Sequence, residues 1–163
     1  MAVDVNRLTP GEQLVGVSAA ALFVVSFLHW LGGRITSLTV NNQTISTSKF
    51  HFVHGAWGYT ATAIAVVIGL LEIAYLVARL AGLERPRGAG VVLAIAGGLA
   101  FVLVAVQLLA GASVNLNSFG LPSVTNLGGV HISFEKTRSA GAYAGLVAAF
   151  GLAAGGLLSA REG

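Results

Sequence analysis

Apolar residues in this chain gather into four long runs, at 13–31, 53–81, 88–112 and 139–160. Each is close to the ~20 residues that carry an α-helix across a bilayer core. Between Gly88 and Phe134 no residue is charged. Two long polar connectors, 32–52 and 113–138, alternate with the short break Leu83-Glu84-Arg85-Pro86-Arg87. The pattern predicts an all-α membrane protein: a four-transmembrane-helix bundle forming a single membrane domain over 1–163. It also predicts a small extracytoplasmic β-sheet built from the two long loops.

Local signals sharpen several boundaries. Thr9-Pro10-Gly11-Glu12 sets a capping hydroxyl, a proline at the first helical position and an acid that can reach back to the cap. Residues 83–87 must form a tight hairpin between the second and third helices. The first long loop is rich in Thr, Ile and Val, and Asn41-Asn42 sits where a two-residue turn belongs, because Asn tolerates positive φ. That register pairs Leu38 with Ile45. Asn42-Gln43-Thr44 also fits a glycosylation pattern, though the turn is the simpler reading. In the second loop, Ser113–Asn117 and Val130–Phe134 alternate apolar and polar positions around a Gly/Pro turn region, as strands do. The two halves share a weak parallel repeat: helix, β-prone loop, then Gly55-Ala56-Trp57 or Gly141-Ala142-Tyr143 opening the next helix.

Composition agrees with a lipid solvent. Hydrophobic residues make up 55% and charged residues 9%, against roughly 25% charged in a soluble domain. With Cys 0, disulfides, thiolate metal sites and Cys nucleophiles are excluded. Nine Lys/Arg against six Asp/Glu, with no basic cluster interleaved with aromatics, argue against nucleic acid. The first apolar run lacks a basic leader region and a small-residue cleavage site, so it reads as a retained helix. Arg79, Arg85 and Arg87 around the hairpin place it in the cytoplasm by the positive-inside rule, with both termini beside it. Arg7 and Arg161 add to that side, against Arg34, Lys49, Lys136 and Arg138 outside.

Candidate chemistry is sparse. Glu72 is the one ionisable residue well inside a run. It reads as a proton or cation relay or a partner-helix contact, or else as a carboxyl bonded to a hydroxyl or backbone carbonyl or reaching toward the cytoplasmic headgroups. Gln107 is the second intramembrane polar group. His51, His54 and His131 lie at the outer boundary with His29 and read first as interfacial hydrogen-bonding residues, with a metal or pH site as the alternative; against that alternative, no HExxH pattern or first-loop carboxylate accompanies them. Trp30, Trp57 and Tyr59 read as interface anchors. Gly97, Gly98, Gly151 and Gly155 read as helix-packing positions, more within the bundle than between copies. No phosphate loop, Ser/His/Asp grouping or paired carboxylates occur. The residues point to no catalytic site and no cofactor.

Thr-Pro-Gly-Glu before helix one, Ser-Phe-Leu-His-Trp at its outer end, and the small-residue run of helix four resemble a group of small four-helix membrane proteins of actinobacteria and their relatives. Leu28-His29-Trp30 stands where that group often has Leu-Pro-Trp. The resemblance implies topology and the bacterial cytoplasmic membrane, and no activity. The layout is also similar to claudin-like proteins by architecture alone, without their cysteine pair or Gly-Leu-Trp motif. The functional expectation is a non-enzymatic accessory, scaffold or assembly subunit of a bacterial envelope complex. Its partners would be membrane lipids and other membrane proteins, or a second copy. The alternatives are a small transporter or channel subunit using Glu72, or an outward-facing histidine sensor.

Overall fold

The computed structural model describes residues 7–40, 43–45, 51–111 and 130–162. Four helices are present: α1 (Pro10–Val25), α2 (Thr60–Leu80), α3 (Ala89–Ala110) and α4 (Ala140–Arg161). Strands β1 (Leu31–Val40), β2 (Gln43–Ile45) and β3 (His51–His54) follow α1, and β4 (Val130–Arg138) precedes α4. α2, α3 and α4 are long and apolar enough to cross a membrane. α1, with 16 residues, extends about 24 Å at 1.5 Å per residue and falls short of that measure.

The helices pack in a ring, α1 against α2 and α4, and α3 against α2 and α4. Their inner and outer faces differ in a way water would not select. Leu71, Val92, Ile95, Val106, Val147 and Phe150 all point outward and exposed. The buried face of α4 is Gly141, Ala142, Gly145, Ala148, Ala149, Leu152, Gly155, Gly156 and Ser159. Small residues inside and large apolar residues outside are what helices need when lipid gives no hydrophobic reason to associate, so that close backbone approach must supply the contact.

α4 makes that approach on two edges. A Cβ at Gly155 would come within 2.8 Å of the Val15 nitrogen of α1, and one at Gly156 within 2.6 Å of Ala94 Cα of α3. Gly97 on α3 meets the Leu152 carbonyl oxygen at 2.6 Å in the same sense, and Gly151 would collide with the Ser18 side chain. Gly98 is different. Nothing lies within 4 Å of its Cβ direction, because it sits one residue, and so about 100°, round the helix from the contact at Gly97.

Two helix boundaries differ from the sequence reading. The first apolar run reaches Leu31, but α1 stops at Val25. The Ser26 hydroxyl donates to the Phe23 carbonyl at 2.6 Å, and the Trp30 indole N–H donates to the Val25 carbonyl at 2.7 Å. These bonds satisfy carbonyls that a longer helix would have used. The second run starts at Val53, yet α2 begins at Thr60, since Val53 and His54 pair with Gly32 and Leu31 in the sheet. A single 3-10 turn, Ala56–Gly58, then leads into α2. Apolar residues of a strand or a turn look the same as apolar residues of a helix when only hydropathy is read.

The sheet is antiparallel, with β1 at its centre. β4 pairs along the whole of β1, so β2 and β3 share the opposite edge. Leu38 pairs with Ile45, and Val40 with Gln43, the expected register. The turn Asn41-Asn42 itself, and the expected strand at Ser113–Asn117, lie outside the described residues.

The sheet joins the helices at Trp30. Its N–H donates to the His54 carbonyl at 3.0 Å, and its carbonyl accepts the Ser139 N–H at 2.9 Å. One residue thus ties the end of α1 to the entries of α2 and α4. At the other end, α2 closes in a Schellman motif. Leu83 N–H donates to the Ala78 carbonyl and Gly82 N–H to the Arg79 carbonyl, with Gly82 at φ 110°, a conformation that favours glycine.

Candidate functional site

The hairpin end of the helices carries a connected set of polar side chains. Thr9 and Glu12 form the expected capping box: Glu12 N–H donates to Thr9 Oγ1, and Thr9 N–H donates to Glu12 Oε2 at 3.0 Å. The other carboxylate oxygen has a second role that capping did not foretell. Arg79 Nε of α2 and Arg85 Nε of the hairpin each lie 3.6 Å from Glu12 Oε1, and the Tyr75 hydroxyl donates to it at 3.3 Å. Glu12 is fully buried.

The arginines reach onward. Arg85 Nη2 donates to the Ser159 carbonyl at 2.6 Å and its hydroxyl at 2.9 Å, and Arg79 Nη1 donates to the Leu83 carbonyl at 2.7 Å. Glu162 accepts from Gly11 N–H at 3.2 Å, placing a carboxylate at the N-terminus of α1, where the helix dipole favours it. α1, α2, the hairpin and α4 are therefore held by one clasp. Its sequence signal was an acid and two arginines expected at one membrane end; what was missing was the knowledge that α1 and α2 are neighbours.

Glu72 lies deeper on α2 and is not part of the clasp. It is 4% exposed, and neither carboxylate oxygen has a hydrogen-bond partner. It faces a groove of about 410 Å³ between α2 and α3, walled by Ile68, Leu71, Val92, Leu93 and Ala96. Tyr75, Pro86 and Arg87 line its end nearest the hairpin. Gln107 stands well away. Its side-chain amide donates to the Gly111 carbonyl at 3.2 Å, at the sheet end of α3. From Ala96 to Gln107 is eleven residues, about 16 Å along the helix. Glu72 and Gln107 are not brought together.

Nor are the histidines. His51 is registered with Arg34 and His131 with Thr39, five residues apart on β1, or about 17 Å along a strand. His54 pairs with Leu31, further still from His131, and its ring packs edge-on against Tyr59 at 5.7 Å. The helical turn that would have set His51 and His54 on one face is strand instead. Among the described residues no group of three His, Cys, Asp or Glu side chains gathers.

The three aromatic residues at this end separate into different roles. Trp57 is exposed, with its indole N–H on Ser26 Oγ at 3.0 Å, as an anchor would be. Trp30 is buried at 1% exposure, its ring lying over Gly145 of α4. Tyr59 is also buried, with a hydroxyl that has no partner. These two rings are buried instead of facing headgroups, Trp30 against Gly141 and Gly145 of α4 and Tyr59 against the His54 ring. Burial raises the Tyr59 hydroxyl pKa above its ordinary value by disfavouring the phenolate.

No protein-family model, curated protein or solved structure matches this chain.

Proposed function

We propose that this chain is a four-span integral protein of a bacterial cytoplasmic membrane. It acts without catalysis of its own, as an accessory or scaffold subunit of an envelope complex. The sheet lies outside the membrane, and the hairpin and both termini lie in the cytoplasm. α1 serves as the fourth span although it is short. At one end Glu12 meets Arg79, and at the other Ser26 accepts from Ala56 N–H at 3.3 Å, so α1 runs alongside nearly the whole of α2. Leu14, Val17, Phe23 and Val24 on its outer face are as exposed and apolar as those of the longer helices.

The observation that carries the reading is how the buried polar groups are engaged. Glu12 and Ser159 are bonded to other elements, and Ser26 and Thr62 to backbone carbonyls close by in sequence, so these four are taken up by the fold and are not free to act on a substrate; Glu72 has no such bond. Large apolar surface and a β-sheet are what remain for contact with lipids and partner proteins. Isolation in mild detergent from its native membrane, with mass spectrometry of co-purifying proteins, tests this. A reproducible, stoichiometric membrane partner is expected; recovery as a lone monomer at native abundance would sink the scaffold reading.

A further inference from the structure

A buried carboxyl group without a partner is costly, because it has left water and gained no hydrogen bond in exchange. Glu72 is in that position, and its side chain forms part of the wall of the α2–α3 groove. We propose that this groove is an intramembrane binding site for a single-chain amphiphile whose head donates a hydrogen bond, a hydroxyl or an ammonium group, to Glu72. The inference rests on the membrane-spanning reading and goes beyond the scaffold role.

Three observations select this occupant. The groove is open on the outer face, where Leu71 and Val92 are each about two-thirds exposed (65% and 66%), so its contents come from the bilayer. Its volume of about 410 Å³ falls in the range of small-molecule sites, roughly 300–1,000 Å³. A partner helix, 10–12 Å across and some twenty residues long, would need far more room. Finally, the wall is apolar except for Glu72 at depth and Tyr75 and Arg87 toward the hairpin. Tyr75 already donates to Glu12 and Arg87 is exposed, leaving Glu72 as the buried group of the wall that lacks a bond. Its carbonyl oxygen accepts whether or not the group is ionised, so a head that donates satisfies it in either state.

A second groove of similar size, about 340 Å³ between α1 and α2, provides an internal control. It is lined mainly by apolar residues such as Val17, Ala20, Ile73 and Val77, and no carboxyl group faces it.

The test uses the full-length protein in detergent micelles, with hexadecan-1-ol, hexadecylamine and methyl palmitate as probes and native mass spectrometry as the readout. The alcohol and the amine should each bind at one equivalent per chain, and the ester, which can only accept, should bind more weakly than either. Glu72→Leu should weaken both donors by about tenfold or more, as loss of a hydrogen bond in an apolar site does. Glu72→Gln should retain the alcohol better than the amine. Val92→Trp, at the exposed rim, should block binding with Glu72 still present, while Ala20→Phe in the control groove should leave it unchanged. Equal retention of ester and alcohol, or retention indifferent to Glu72→Leu, would overturn the site. Neither result would bear on whether the helices span a membrane or whether partners co-purify.

Discussion

The six-membered ring of the Trp30 indole packs against Gly145, so close that a single added carbon at Gly145 would meet it. Trp30 is held from three sides, by Val25, His54 and Ser139, and has no room to withdraw. Gly145→Val should therefore destabilise the protein by about 1–3 kcal/mol through overpacking, read as a lower midpoint of thermal unfolding in detergent. An unchanged midpoint would mean that the indole is not fixed there.

Glu12 is buried between two arginines whose side chains are 13% and 20% exposed. Glu12→Gln keeps the shape and much of the capping geometry but leaves both guanidinium groups without their counter-charge. The expected loss lies between the ~1 kcal/mol of an exposed pair and the ~3–5 kcal/mol of a fully buried one. Because Arg85 and Arg79 also hold the hairpin, limited proteolysis near Leu83 should accelerate in the variant. Equal cleavage rates would assign the clasp no role in ordering the hairpin.

Adjacent glycines on α3 should respond in opposite ways. Gly97→Val forces α3 away from Leu152 of α4, whereas Gly98→Ala enters open space and replaces a poor helix former with a good one. The first should cost about 1–3 kcal/mol; the second should be neutral or stabilising by up to about 1 kcal/mol. Unfolding of the two variants side by side checks the pair, and equal effects would contradict the packing seam.

Tyr59, just before α2, gives stability a dependence on alkaline pH. Its folded-state pKa is raised by burial, so the unfolded chain gives up the phenolic proton first. The native state then binds more protons, and stability falls as pH rises through and above about 10, being fully present below it. Tyr59→Phe removes the titrating group and an unpartnered hydroxyl together. The variant should match the parent at neutral pH or exceed it slightly, and should lose less stability between pH 9 and 11. Parallel pH profiles for the two proteins would refute this.

Topology is open to a direct check, because the chain has no cysteine. Single variants Glu84→Cys, in the hairpin, and Thr137→Cys, on β4, sit at opposite ends of the helices and are exposed. In intact cells a membrane-impermeant maleimide should label the second and spare the first until the membrane is opened. Labelling of both, or the reverse pattern, would undo the proposed arrangement.

Hydropathy marked the helices, the capping motif placed the start of α1 to the residue, and alternation around Asn41-Asn42 set Leu38 opposite Ile45. These are local properties, fixed by which atoms lie within a few residues along the chain. Trp30, Tyr59 and the Glu12 clasp were misread or missed for the opposite reason. Whether Glu12 meets Arg79, or His131 comes near His51, depends on how the helices and strands are set beside one another. Composition cannot report that arrangement when every helix is rich in glycine and alanine. The chain thus announces its solvent and its segments, while the tertiary packing alone decided which buried polar group, Glu72, is left without a bond beside the α2–α3 groove.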